Sequence, residues 1–190
     1  MKHSIPDKIL PQEIAVAWES AECLYSNQEI NVAINRLATD IQIELANTNP
    51  VLLCVMNGAL IFTAQLAIRL PFPVQIDSLH ISRYREKTQG GSIEWQKEPG
   101  ILLEDRTVLV VDDILDEGHT LAAILDYCYM QRARKVLSTV LVEKKHDTKH
   151  PEAKADFIGL SVDGRYVFGY GMDYKNYLRN LPEIYALSVS

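Results

Sequence analysis

Residues 108–121 read Val-Leu-Val-Val-Asp-Asp-Ile-Leu-Asp-Glu-Gly-His-Thr-Leu, and this stretch holds most of the chemistry the chain can offer. An apolar run ends in two adjacent carboxylates, Asp112 and Asp113, and a third, Asp116, follows closely. A turn with Gly118 and Thr120 leads into what reads as a helix. The first turn of a helix presents unbonded backbone N–H groups and the positive end of the helix dipole, which together bind phosphate. Gly118 lets the backbone close around the anion, and Thr120 can add a hydroxyl donor. Two carboxylates would repel a bare phosphate. They make sense as acceptors for ribose hydroxyls beside a divalent cation, because Mg2+ is commonly held by carboxylate together with substrate phosphate. Alone, a strand-end Asp pair is more often punctuation between strand and helix; its company here makes the pattern specific.

The elements that must position these groups follow an α/β order. Val51 to Met56 and Thr107 to Val111 are short, continuous apolar runs, as expected of strands buried on both faces. Val74 to Ile81 alternates like a strand, and Val136 to Val142 is a third buried one. Helices are expected over 26–46, over Ala59 to Leu70 and from about Thr120 to Gln131. The first carries a capping box, Ser26 with Glu29, and a stripe of Ile30, Ile34, Leu37, Ile41 and Leu45. Arg83 to Gly100 is polar and rich in turn signals, which fits a lid, a binding loop or an excursion hairpin. Lys144 to Lys154 reads as a charged connector, followed by strand-like pieces at Phe157 to Val162 and Tyr166 to Tyr170. Alternating strands and helices argue for a parallel sheet with ligands at the carboxyl ends of its strands. That rule points to Met56–Ala59, Asp112–Thr120 and Glu143–Lys144.

The 190 residues suit a single domain, with 47% hydrophobic and 23% charged residues. A net charge of -6 disfavours nucleic acid and anionic membranes as partners. Cys23, Cys54 and Cys128 are widely spaced and form no CxxC pair, which argues against a structural zinc site and a disulfide framework and suits a reducing cytoplasm. No apolar run approaches the roughly 18 residues of a membrane span. His146 and His150 lack an evident third metal ligand and read as a solvated loop.

Residues 108–121 resemble the phosphoribosyl-pyrophosphate signature of type I phosphoribosyltransferases, and the resemblance extends over nearly the whole chain. Met56-Asn57-Gly58-Ala59, Ser82-Arg83-Tyr84, the tail Arg165-Tyr166-Val167-Phe168-Gly169-Tyr170-Gly171-Met172-Asp173-Tyr174 and Arg179-Asn180-Leu181-Pro182 are similar to the hypoxanthine-guanine phosphoribosyltransferase family. The resemblance implies an α/β fold of the type I phosphoribosyltransferase kind: a central, mostly parallel sheet flanked by helices, with a core over about 30–145. A small hood would come from about 1–25 and 155–190. The implied activity is purine salvage: transfer of the 5-phosphoribosyl group from phosphoribosyl pyrophosphate to N9 of a 6-oxopurine, giving IMP or GMP and pyrophosphate. Mg2+ as cofactor and assembly as a homodimer or homotetramer are implied as well.

Residue by residue, the resemblance gives Asp112 and Asp113 to the ribose hydroxyls and, with Asp173, to the metal. Asp116 matches the carboxylate near purine N7, a general acid/base, and Asp116, Glu117, Gly118, His119 and Thr120 match the 5′-phosphate loop. Met56, Asn57 and Gly58 match the pyrophosphate loop, with a cis peptide expected between Met56 and Asn57, and Arg179 matches a pyrophosphate ligand. Lys144 matches the donor to purine O6, with Lys145 as the rival in a shifted register. Tyr166 matches the aromatic stacked on the base, Val167 the main chain that reads its edge, and Asp173 also belongs to this pocket. Ser82, Arg83 and Tyr84 open a loop that would close over the site. Glu117 stands where relatives usually carry Thr. It should point outward or pair with a cation such as His119; the simpler reading, adopted here, turns both side chains to solvent. Base choice among hypoxanthine, guanine and xanthine stays open. The alternatives are a regulator of the same fold that binds RNA and a xanthine-preferring transferase.

Overall fold

The computed structural model describes residues 11–83, 93–145 and 154–188. The capping box sets the first long helix. Ser26 Oγ accepts from the Glu29 backbone N–H at 3.3 Å, and the Glu29 carboxylate accepts from the Ser26 backbone N–H at 2.9 Å. The helix that follows, here α2, runs Asn27–Leu45 and buries the expected stripe of Ile30, Ile34, Leu37, Ile41 and Leu45. After a turn at 46–50 the chain enters β2, Val51–Met56.

Six strands form the main sheet: β2, β3 (Gln75–Arg83), β4 (Ile93–Lys97), β5 (Thr107–Leu115), β6 (Lys135–Lys145) and β7 (Phe157–Asp163). Their order is β4-β3-β2-β5-β6-β7, parallel throughout except for β4 on β3. Alternation in the strands feeds two cores. Leu52, Leu109 and Val111 pack with α2 and with α3 (Leu60–Ala67). Val51, Leu53, Val108 and Val110 pack with α4 (His119–Met130). Both faces of β2 and β5 are therefore covered, which is why their sequences read as unbroken apolar runs.

A second, three-stranded antiparallel sheet joins the two ends of the chain, in the order β1 (Glu22–Tyr25), β9 (Ile184–Ala186), β8 (Val167–Phe168). With α1 (Gln12–Ser20) it encloses a third core of Ile14, Trp18, Phe168, Leu178, Leu181 and Tyr185. Trp18 meets Tyr185 edge to face, with ring centroids 4.9 Å apart.

Several expectations shift in detail. The helix expected over Ala59 to Leu70 is regular only over Leu60–Ala67, because Pro71 and Pro73 follow at once. The polar segment after Arg83 returns as β4, antiparallel to β3, so its described part is one arm of an excursion hairpin. Tyr84 and the rest of the loop over 84–92 lie outside the described residues, as do His146 and His150. The charged connector begins later than expected, since Lys144 and Lys145 pair with Val162 and Asp163 in the β6–β7 ladder. The main sheet thus reaches Asp163, beyond the expected core boundary near residue 145, and the tail's part of the small sheet starts at Val167 rather than near residue 155. Among the described residues no helix is long and apolar enough to cross a membrane.

Candidate functional site

From β2 the chain moves outward to β3 on one side of the sheet; from β5 it moves to β6 on the other. A crevice opens at the carboxyl ends of strands where the order reverses in this way. The ladders show where it begins. Pairing of β2 with β5 stops at Cys54 and Val111, whereas β5 stays paired with β6 as far as Leu115 and Glu143. Asp112 and Asp113 are the first residues of β5 beyond its contact with β2.

A cavity of about 500 Å3 occupies this crevice. Met56, Asn57 and Gly58 form one wall, Asp112, Asp113 and the turn from Asp116 to Gly118 another, and Thr120 and Arg179 line it as well. A smaller cavity of about 150 Å3 is lined by Lys144, Tyr166, Val167 and Asp173. Asp113 and Asp116 belong to both walls, so the two spaces adjoin at the end of β5. Most of the site residues expected from sequence therefore fall into two touching groups; His119, Ser82 and Arg83 line neither cavity.

The turn before α4 has the form an anion needs. Gly118 is the N-cap residue, with φ 86° and ψ -1°, and no side chain caps the helix. Thr120 faces the cavity; His119 is exposed and lies on neither cavity wall. Glu117 is half-buried and forms part of the larger cavity's wall, so the expectation that it simply faces solvent does not hold. The Met56–Asn57 peptide is cis, as the resemblance implies.

Asp112 is 7% exposed, and its Oδ1 accepts from the Asp113 backbone N–H at 2.9 Å. Asp113 Oδ1 accepts from the Ile114 backbone N–H at 2.9 Å. Burial raises the pKa of Asp112 well above the usual carboxylate range, and the neighbouring Asp113 charge adds to the rise. Burial raises Asp113 as well, against the opposing pull of its hydrogen bonds and of Arg179. A carboxyl group with a raised pKa stabilises the fold below the ordinary carboxylate range and loses that contribution as pH rises through the raised value. Replacing Asp112 by Asn should therefore raise the melting temperature near neutral pH, by about 2–4 °C for each kcal/mol of strain relieved. The gain should vanish in acid, and differential scanning calorimetry at two pH values checks both parts. The variant should bind phosphoribosyl ligands less well.

Space beneath Asp113 is set by a glycine. A Cβ on Gly58 would overlap the Asp113 carboxylate, and a Cβ on Gly171 would overlap the Gly58 carbonyl oxygen. Gly171 also holds φ 104°, where side chains are rarely tolerated. The tail thus rests its backbone directly on the loop after β2.

In the smaller cavity Lys144 Nζ lies 2.7 Å from Asp116 Oδ2, and the lysine side chain is 13% exposed. Lys145 is exposed at the end of β6 and lines neither cavity. Tyr166 is 47% exposed, donates its hydroxyl to the Asp173 carbonyl at 3.0 Å and meets Tyr174 edge to face. Asp173 is ion-paired with Arg179 at 2.9 Å and accepts from the Asn176 backbone N–H at 2.7 Å. Arg179 also donates to the Gly171 carbonyl at 2.8 Å.

The expected metal set is not gathered. Among the described residues no group of three or more His, Cys, Asp or Glu side chains could hold a metal ion by itself. Asp173 is engaged with Arg179 instead of completing a triad with Asp112 and Asp113. The adjacent, buried Asp112 and Asp113 remain a donor set that suits Mg2+ if substrate oxygens supply the other ligands. Ser82 and Arg83 pair with Glu94 and Ile93 at the open end of the β3–β4 ladder. Sequence reasoning missed His80 and Ile81 of β3, Gln96 of β4 and Asn176 of the tail, all of which line the larger cavity.

A family model described as the phosphoribosyl transferase domain matches residues 20–175. The chain is 33% identical over 167 residues to a hypoxanthine-guanine-xanthine phosphoribosyltransferase of Tritrichomonas foetus, covering 88% of this chain and 91% of that protein. It is 32% identical over 165 residues to the hypoxanthine-guanine phosphoribosyltransferase of Bacillus subtilis, covering 86% and 91%. Among solved structures, a hypoxanthine phosphoribosyltransferase of Staphylococcus aureus matches with a TM-score of 0.83 and 25% identity, over 88% of this chain and 91% of the other.

Proposed function

The chain belongs to the phosphoribosyltransferase family, and from that premise we propose how its two adjoining cavities divide the work of a purine-salvage hypoxanthine-guanine phosphoribosyltransferase. The enzyme moves the 5-phosphoribosyl group of phosphoribosyl pyrophosphate to N9 of a 6-oxopurine. The bond from C1′ to the pyrophosphate oxygen breaks, its electron pair leaves with pyrophosphate, and the bond from N9 to C1′ forms as the purine gives up its ring N–H proton, which the Asp116 carboxylate can accept.

The observation that carries this reading is the shared wall at Asp113 and Asp116, which puts an anion cradle and an aromatic-lined slot side by side. The 5′-phosphate sits at the uncapped N-terminus of α4, over Asp116 to Thr120. Asp112 and Asp113 accept from the ribose hydroxyls. The loop Met56-Asn57-Gly58 takes the pyrophosphate, with Arg179 beside it. The purine stacks on the exposed face of Tyr166, an interaction that contributes roughly 1–3 kcal/mol in comparable base–aromatic contacts. Lys144, held by Asp116, offers its ammonium to a 6-oxo group and has nothing to offer a 6-amino group. Asp116 lies where a carboxylate can exchange a proton with the purine ring. Mg2+ bound by Asp112 and Asp113 together with substrate oxygens would neutralise charge on the leaving group.

The cytoplasm suits this chemistry, since Cys23, Cys54 and Cys128 are free thiols. Assembly as a homodimer or homotetramer belongs to the same reading, and light scattering on the purified protein checks it. The relatives named above are transferases, which disfavours the RNA-binding alternative. A spectrophotometric assay with phosphoribosyl pyrophosphate, Mg2+ and hypoxanthine, guanine, xanthine or adenine in turn tests the whole assignment. Turnover is expected with at least one 6-oxopurine and not with adenine; turnover with adenine alone would overturn it.

A further inference from the structure

One wall of the larger cavity belongs to no residue the resemblance predicts. It comes from β3 and β4, where the antiparallel register pairs His80 with Lys97 but Ile81 with Trp95. One extra residue, Gln96, is accommodated between those pairs. Bulges of this kind re-aim a side chain and are over-represented beside active sites. The residues on either side of Gln96 are firmly held. Trp95 packs against Tyr127 of α4, with ring centroids 4.4 Å apart. Lys97 donates to Ser78 Oγ at 2.6 Å and lies 3.8 Å from the Asp77 carboxylate. Asp77 in turn accepts from the backbone N–H groups of Gly100 and Ile101, which fixes the segment that follows β4. Gln96 is thus an exposed side chain on a pinned backbone, and it lines the cavity together with His80 and Ile81.

The sheet order says which part of the substrate this side chain meets. Ribose and 5′-phosphate are assigned to β5 and the turn after it, and pyrophosphate to the loop after β2. β3 and β4 lie further out on that same side. With strands about 4.8 Å apart, β4 is about 10 Å from β2, beyond the pyrophosphate loop and away from the base slot. Gln96 does not line the smaller cavity. We propose that Gln96, re-aimed by the bulge in β4, is a further ligand of phosphoribosyl pyrophosphate that donates its side-chain amide to the outer phosphate of the pyrophosphate group. An amide is a suitable donor there, because it offers two N–H groups without adding a charge that must be desolvated.

The inference rests on the transferase reading, and titration calorimetry in the presence of Mg2+ separates the two. Inorganic pyrophosphate and IMP are titrated into the wild type, Gln96→Ala and Gln96→Glu, with melting temperatures recorded alongside. Gln96→Ala should weaken pyrophosphate binding about ten- to a hundredfold, the size expected for losing one hydrogen bond to a charged group. Gln96→Glu should weaken it further by repulsion, while IMP, which lacks the pyrophosphate, binds both variants within about twofold of the wild type. Unchanged pyrophosphate affinity in both variants would overturn the assignment, as would an equal loss for IMP. A wild type that binds neither ligand would instead sink the transferase reading itself.

Discussion

Asp116→Asn is expected to lower turnover by about 10^2–10^4-fold, the usual contribution of a positioned general acid or base, while the affinity for phosphoribosyl pyrophosphate changes little. The geometry makes this a clean test. Asp116 lines both cavities, so under the proposed division of the site its carboxylate would stand between the ribose carbon and the base. Its hydrogen bond with Lys144 can survive the substitution, because the asparagine amide oxygen still accepts from the ammonium where Asp116 Oδ2 did at 2.7 Å. What the variant loses is the capacity to take up and return a proton. Steady-state kinetics gives kcat, and calorimetric titration gives the phosphoribosyl pyrophosphate affinity. A fall in affinity as large as the fall in kcat would show that Asp116 holds ligand rather than moving a proton. The pH profile supplies a second readout, since the limb that reports the acid/base group should disappear in the variant.

Gly58→Ala should be nearly as damaging for a different reason. The added methyl overlaps the Asp113 carboxylate. Asp113 has little room to yield, being fixed by the Ile114 backbone N–H and crowded by Asp112. The loop cannot retreat easily either, because the Gly58 carbonyl is covered by the backbone of Gly171. Either the Asp113 carboxylate or the loop after β2 must shift, and a displacement of 1 Å at a reacting centre costs about 10^2-fold. We expect kcat/KM to fall by at least that factor, with a smaller loss of melting temperature. Activity within about threefold of the wild type would mean that the Asp113–Gly58 contact does not position substrate.

Those two expectations differ in how they could be reached. Asp116 was legible in the sequence, because a third carboxylate after a strand-end Asp pair and before a glycine turn is a local pattern. The same holds for β2 and β5, whose unbroken apolar runs follow from coverage on both faces, and for α2, which announces itself through Ser26 and Glu29. The crowding of Gly58 was not legible. It depends on Asp113 and Gly171, which are distant in sequence and meet only once the tail folds back. Gln96 was hidden for a related reason: its place on the cavity wall depends on a register step against β3, and nothing in Trp95-Gln96-Lys97 alone marks a bulge. The small sheet was legible only as a hood from the two ends of the chain, because its strands are short and their pairing joins residues distant in sequence. Asp173 was named from its place in the tail, and its ion pair with Arg179 was not legible there.

The stacking of Gly171 on Gly58 means that the segment carrying Tyr166 and Asp173 is seated, backbone upon backbone, on the loop after β2, the proposed seat of the leaving group. No side chain lies between them to absorb a displacement. A shift of one segment on filling its half of the site is passed to the other, and any coupling that results has to be equal in both directions: whatever pyrophosphate does to the enzyme's grip on a purine, the purine does in the same measure to its grip on pyrophosphate.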